Sequence, residues 1–149
     1  MKYDYIIVGA GSAGCVIANR LSENPSTLVL LIEAGGSDRR FFIQMPIGYG
    51  VTYHQKAVNW MYMTEPSPDA DNKPSYWPRG KVMGGSSSIN AMVYVRGNSR
   101  DFDQWSEAGN PGWSYSDVLP YFKKMESWQN GPDDYRGGDG PLNVSEVSE

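Results

Sequence analysis

The 149-residue sequence predicts an α/β fold that begins with a parallel strand–helix–strand unit. Two short apolar runs mark the strands. Tyr5-Ile6-Ile7-Val8 and Leu28-Val29-Leu30-Leu31-Ile32 have no polar interruption, the pattern of parallel strands buried on both faces. Between them Ala13, Val16, Ile17, Ala18 and Leu21 recur at helical spacing, and Asn24-Pro25 stops the helix.

Composition sets the outer limits. Hydrophobic residues make up 40% and charged residues 20%, which excludes a disordered chain, a collagen-like fibre and a long coiled coil. The longest apolar run, Leu28 to Ile32, is far too short to cross a bilayer. The single cysteine, Cys15, has no internal disulfide partner and cannot form a cysteine-rich metal site. A net charge of −4 argues against general nucleic-acid binding. Met1-Lys2 leads straight into the first strand without the apolar stretch of a secretory signal, so the expectation is a cytoplasmic protein with neither nucleic-acid nor membrane partners.

After the first unit, residues 34–84 are rich in Gly, Pro and aromatics with little periodicity, and aperiodic stretches of that length tend to be functional covers. Residues 85–149 predict short helices near 87–93, 100–107 and 116–126, and a last strand over 141–147. The third helix is amphipathic through Val118, Leu119, Phe122 and Met125, and Pro120 fits it only near the first turn.

Gly9-Ala10-Gly11-Ser12-Ala13-Gly14 reads G-x-G-x-x-G directly after a strand and at the start of a helix, the dinucleotide-binding context. Gly9 turns the chain off the strand, Gly11 leaves room for a pyrophosphate, and Gly14 lets the helix pack on the strand. The helix start offers free N–H groups and partial positive charge to the phosphates. Glu33 ends the second strand 19 residues after Gly14, where a carboxylate accepts from a ribose diol and repels the 2′-phosphate of NADP. The competing reading is a glycine-rich turn without a ligand. Cys15, on the first helical turn, reads as a small packing residue sooner than a reactive thiol.

From Arg79 to Arg100 the chain carries Arg79, Lys81, Arg96 and Arg100 and no acid. The centre of this block is Gly84-Gly85-Ser86-Ser87-Ser88, suited to curl around an anion and to donate hydroxyls. A solvated basic loop with a serine-rich turn explains the same residues equally well.

The run Pro78-Arg79-Gly80-Lys81-Val82-Met83-Gly84-Gly85-Ser86-Ser87-Ser88-Ile89-Asn90, continuing to Tyr94-Val95-Arg96-Gly97 and Asp101, resembles the first signature of the glucose–methanol–choline (GMC) oxidoreductases. Asn59-Trp60, Thr64-Glu65-Pro66, Asp101-Phe102-Asp103, Gly112-Trp113-Ser114-Tyr115 and Leu119-Pro120-Tyr121-Phe122 are similar to further landmarks of that family, so the resemblance covers nearly the whole chain. It implies the N-terminal portion of a Rossmann-like FAD/NAD(P)-binding domain: a βαβ dinucleotide unit (1–35), a long flavin-covering loop and lid (36–98), and helices leading to a next strand (99–149), without the substrate domain. The resemblance also implies roles. Gly9, Gly11, Ser12, Ala13 and Gly14 hold the FAD pyrophosphate, and Glu33 with Ala34 meets the adenosine ribose. Arg79, Gly84, Gly85 and Ser86 form the second cofactor loop, while Val82 and Asn90-Ala91-Met92-Val93 lie against the flavin. Trp60 packs near the cofactor or serves as plain core.

Members that attach FAD covalently through this loop have histidine where Ile89 stands, which implies non-covalent FAD. The choline-oxidising branch has a substrate-facing serine after Asn90. Ala91 lacks that hydroxyl, which weighs against choline.

The implied reaction is oxidation of a primary or secondary alcohol: a base takes the hydroxyl proton while hydride passes to flavin N5. In the family the base is a histidine several hundred residues along. The single histidine, His54, reads as a loop residue, and Asp101/Asp103 and Asp133-Asp134 read as helix-start or surface carboxylates. No catalytic residue is assigned within the chain. Two alternatives stay open: a non-catalytic FAD-binding fragment, or a family relative with lyase or photodecarboxylase chemistry. The expected partners are FAD, a small-molecule alcohol and the remaining polypeptide that completes the sheet. Without that remainder, apolar strand edges are expected to be exposed.

Overall fold

In the computed structural model, which describes residues 2–146, strand β1 (Tyr5–Val8) runs parallel to β2 (Val29–Ile32), with Tyr5 opposite Val29 and Val8 opposite Ile32. Helix α1 (Ser12–Leu21) makes the crossover that parallel pairing demands. The ladder extends past both strands. The Asp4 amide reaches the Leu28 carbonyl at 2.9 Å, and the Gly9 amide reaches the Ile32 carbonyl at 2.7 Å.

Burial corrects one expectation. The apolar runs read as strands covered on both faces, yet Ile6 is 61% and Val8 83% exposed. No third strand is hydrogen-bonded to β1 or β2 among the described residues, so the pair lacks the neighbours that would cover it.

The chain divides into two compact units, Met1–Val93 and Tyr94–Glu149. In the first, the aperiodic stretch contains helices α2 (Phe41–Gln44) and α3 (Tyr49–Thr52) and the antiparallel pair β3 (Tyr62–Met63) and β4 (Tyr76–Trp77). Strands of two residues are too short to print a period in the sequence. The hairpin continues beyond them. The Trp60 amide donates to the Arg79 carbonyl and the Lys81 amide to the Val58 carbonyl, each at 2.8 Å, with a kink at Met61 (φ +55°). Val58, Val82 and Ile89 form a small buried core, with Ile43 packed against it.

The helix expected near 87–93 is instead a 3₁₀ turn over Gly85–Ser88. Side chains compete with the helix here. Ser87 Oγ donates to the Gly84 carbonyl and Ser88 Oγ to the Met83 carbonyl, while Asn90 Oδ1 takes the Met92 amide and holds Met92 at φ +59°.

In the second unit, α4 (Ser99–Glu107) and α5 (Tyr115–Met125) match the expected helices because each opens with a reciprocal capping box, Asn98 with Asp101 and Ser114 with Asp117. Phe102 joins the two helices through ring contacts with Tyr115 and Phe122, and Asp103 Oδ1 accepts from the Tyr115 amide at 2.9 Å. Pro120 is the sixth residue of α5, beyond its first turn, so the Ser116 carbonyl forgoes its helical partner.

Strand β5 (Glu126–Trp128), which the sequence does not announce, follows α5 directly and pairs in parallel with β6 (Leu142–Val144). The expected last strand is therefore shorter, and Val147 lies outside the described residues. Glu126 is fully buried between two arginines: Arg136 Nη1 is 2.9 Å from Oε1, and Arg96 binds Oε2. Burial pulls the Arg96 pKa down, but Tyr94 and the Glu126 carboxylate outweigh it and hold the guanidinium above its ordinary value. Arg96 thus belongs to an ion-pair cluster rather than to a basic anion cradle. No described helix is long and apolar enough to cross a membrane.

Candidate functional site

The first glycine loop is shaped by contacts that leave no room for side chains. A Cβ on Gly14 would fall on the Gly9 carbonyl, so α1 rests directly on the turn that leaves β1. Above Gly11 there is open space. Among the described residues no side chain caps the start of α1 and no acid occupies its first turn, so the amides of Ser12, Ala13 and Gly14 remain available to an anion.

The second glycine loop docks on the first. Gly84 donates its amide to the Ala10 carbonyl at 2.7 Å. Gly85, at φ +58°, comes so close that a Cβ on it would lie 2.8 Å from Gly11 Cα. Glu33 braces the base of the site: one carboxylate oxygen accepts the Ala10 amide and the other the Gly35 amide, both at 2.8 Å. A carboxylate has about four lone-pair sites, so two remain for further donors.

These elements enclose a cavity of about 470 Å³, within the range of ligand pockets. Gly9, Gly11, Glu33, Ala34, Trp60, Arg79, Gly85 and Ser86 line it, as do Val8, Ile32, Tyr62 and Gly80, which sequence reasoning did not select. Val8 and Ile32 end their strands, and ligands of parallel sheets sit at strand carboxyl ends, so that rule was the available signal. Tyr62 follows Trp60 by two residues and, across the left-handed turn at Met61, stacks on it with ring centroids 5.9 Å apart, a pairing that no local pattern announces. Gly80 is there because a Cβ on it would strike the Gly85 carbonyl, a contact with no local signature.

Arg79 and Ser86 also line an adjoining cavity of about 260 Å³ that takes in Ile89, Asn90 and Ala91. Asn90 is shared with a third cavity of about 200 Å³ that includes Met92. Of the three serines, Ser86 alone lines the large cavity, where its Oγ accepts the Gly80 amide at 3.1 Å.

Two residues sit elsewhere than expected. Val82 is fully buried in the core with Val58 and Ile89, so its side chain faces none of these cavities. Val93 is 77% exposed and lies outside all three. Cys15 is half-buried and its thiol contacts the Ala10 carbonyl at 3.2 Å, in keeping with a packing role. His54 stacks on Tyr76 with ring centroids 5.7 Å apart and has no carboxylate partner among the described residues.

Lys81 lies 4.4 Å from the Trp60 ring centre, and the Arg79 guanidinium lies 4.9 Å from that of Trp77. The cavity wall is therefore aromatic and cationic on one strand pair and acidic at Glu33. Uncapped helix amides, free space over Gly11 and spare acceptor capacity on Glu33 fit a dinucleotide.

The GMC oxidoreductase family model matches residues 3–149. The chain is 57% identical over 142 residues to the oxygen-dependent choline dehydrogenase of Vibrio vulnificus, covering 95% of this chain and 25% of that protein. It is 56% identical over 140 residues to the protein of the same name from Photobacterium profundum, covering 94% and 25%. Among solved structures it is similar to pyridoxine 4-oxidase from Mesorbium loti, with a TM-score of 0.85 and 38% identity over 95% of this chain and 28% of that one. A formate oxidase structure from Aspergillus oryzae aligns with a TM-score of 0.79 and 35% identity, over 96% of this chain and 26% of that one. The chain thus spans about a quarter of the length of the curated relatives it matches. With the family model and the glycine-loop architecture in agreement, this chain belongs to the GMC oxidoreductases, a family that binds FAD.

Proposed function

We propose that this chain supplies the FAD-binding part of an oxidoreductase that removes hydride from a primary or secondary alcohol, with FAD held non-covalently. The observation that carries the reading is the contact of two glycine loops, Gly84 on Ala10 and Gly85 on Gly11, above an uncapped helix start. Bound FAD supplies the hydride acceptor. The residues around it bind and orient: α1 amides neutralise the pyrophosphate, Glu33 accepts from a ribose diol, and Arg79, Ser86 and Asn90 border the inner cavities. Ile89, at the position that bears histidine in covalent members, is a buried hydrocarbon without a nucleophilic atom, which supports non-covalent attachment.

The proton-accepting base is assigned to the part of the enzyme outside these residues, because His54 is engaged with Tyr53 and Tyr76 rings and has no orienting carboxylate among the described residues. That same fact favours a second reading, in which the chain binds FAD and by itself catalyses nothing. Purification followed by FAD reconstitution tests the first half: a yellow protein with a flavin spectrum that acid precipitation releases is expected, and a colourless one would sink the reading. Attaching the remaining polypeptide and measuring dye-linked oxidation of alcohols tests the second half. Choline is one arm of that assay, since the curated relatives carry choline in their names while Ala91 offers no hydroxyl.

A further inference from the structure

We infer that Asn59 is a positioning residue of the nucleotide cavity, setting its aromatic and cationic walls without touching the cavity itself. This rests on the assignment of that cavity to FAD.

Asn59 is 1% exposed, and its side-chain amide makes four hydrogen bonds. Nδ2 donates to the Tyr53 carbonyl at 2.8 Å and to Tyr76 Oη at 3.2 Å. Oδ1 accepts the Met61 amide at 2.9 Å and the Arg79 amide at 3.0 Å. A primary amide has two donor hydrogens and two strong acceptor sites, so its capacity is full. No other side chain of this size carries that set.

The partners explain the consequence. Met61 lies in the left-handed region at φ +55°, a conformation that a non-glycine residue keeps only when its surroundings impose it. The bond from its amide to Asn59 Oδ1 is that constraint. It fixes the turn between Trp60 and Tyr62, whose rings stack nearly parallel at an interplanar angle of 6° and both line the cavity. The second acceptor bond fixes the backbone of Arg79, which lines the same cavity from the opposing strand. Asn59 therefore couples the aromatic ledge to the cationic wall and anchors both to Tyr53 and Tyr76.

The test uses the full chain, with FAD titration and amide hydrogen exchange measured on the same samples. Asn59→Ala removes all four bonds and leaves the Met61 and Arg79 amides unpaired, while the Tyr53 carbonyl keeps the Tyr76 hydroxyl as donor. It is expected to weaken FAD binding and to speed exchange at Met61 and Arg79, each roughly tenfold or more, while amides of residues 5–8 keep their protection. Asn59→Asp keeps both acceptor bonds but regains a donor only when protonated. Relative to wild type at each pH, its FAD affinity is expected to recover as pH falls through the titration of the new carboxyl, the contribution of Glu33 being common to both proteins. Wild-type FAD affinity in Asn59→Ala, or unchanged exchange at Met61 and Arg79, overturns the inference. Should Asn59→Ala fail to fold, an Asn59→Asp affinity profile parallel to that of wild type across the acid range overturns it equally. If the wild-type chain takes up no FAD, the cofactor assignment fails instead, and the exchange rates alone decide whether Asn59 holds this wall.

Discussion

The amide of Gly84 donates to the carbonyl of Ala10 across 2.7 Å, joining two glycine loops 74 positions apart in the chain. Beside that bond Gly85 lies against Gly11, so the loop that follows β1 and the loop that follows the hairpin form one surface. Neither loop makes a cavity alone.

Gly11→Ala and Gly14→Ala should therefore separate binding from stability. A Cβ on Gly11 meets nothing within 4 Å, and φ −79° suits any residue, so the fold should keep its melting temperature while the methyl occupies the space above the turn. FAD affinity should drop about tenfold or more. A Cβ on Gly14 falls on backbone that cannot yield, and the cost should be about 1–3 kcal/mol of stability by chemical denaturation. Equal stability losses for both variants would contradict the assignment of Gly11 to the ligand side.

Glu33→Ala should act on both loops. The Ala10 and Gly35 amides each lose an acceptor, and the adenosine end of the cofactor loses its carboxylate. Calorimetric titration should show FAD binding weakened by about 10- to 100-fold, the range of a single hydrogen bond to a charged group. Glu33→Gln, which keeps one acceptor, should fall between wild type and Ala.

Within the second unit, Glu126→Ala should be among the most damaging single changes. It leaves the largely buried Arg96 guanidinium and the partly buried Arg136 without their shared carboxylate. Loss of a partner from a buried ion pair costs about 3–5 kcal/mol, readable as a shift of the denaturation midpoint. Arg136→Ala should cost less, because Arg136 is the more exposed of the two arginines.

Asp133 gives a pH signature. Amides of Tyr135 and Arg136 both donate to its Oδ1 at 2.6 Å and hold its pKa below the ordinary value of 3.8. A depressed carboxyl pKa contributes stability above the ordinary value, and that contribution disappears as pH falls through the folded-state value. Asp133→Asn should lower stability at neutral pH, where the charged carboxylate contributes, change little at the acid end, and so flatten this limb of the profile. Denaturant midpoints measured across the acid range check the sign.

What the sequence determined by itself was local. The strand–helix–strand unit was legible because apolar runs, helical spacing and the G-x-G-x-x-G turn are all short-range signals, and α5 was legible through Val118, Leu119, Phe122 and Met125 at helical spacing. Eight residues assigned to the cofactor by motif and resemblance do line the main cavity. Tertiary structure decided the remainder. Val82 went to the core because Val58 and Ile89 close over it, and Arg96 went to Glu126 because β5 and β6 bring that carboxylate inside. The 3₁₀ turn displaced the helix expected at 87–93 because serine hydroxyls found carbonyls of the same loop. Asn59 stood in the Asn59-Trp60 landmark with no role attached, since its importance lies in four partners spread over residues 53–79. Local propensity acts over a turn or two of chain. The cavity depends on glycine backbones in contact across 74 positions, and only the folded chain brings them together.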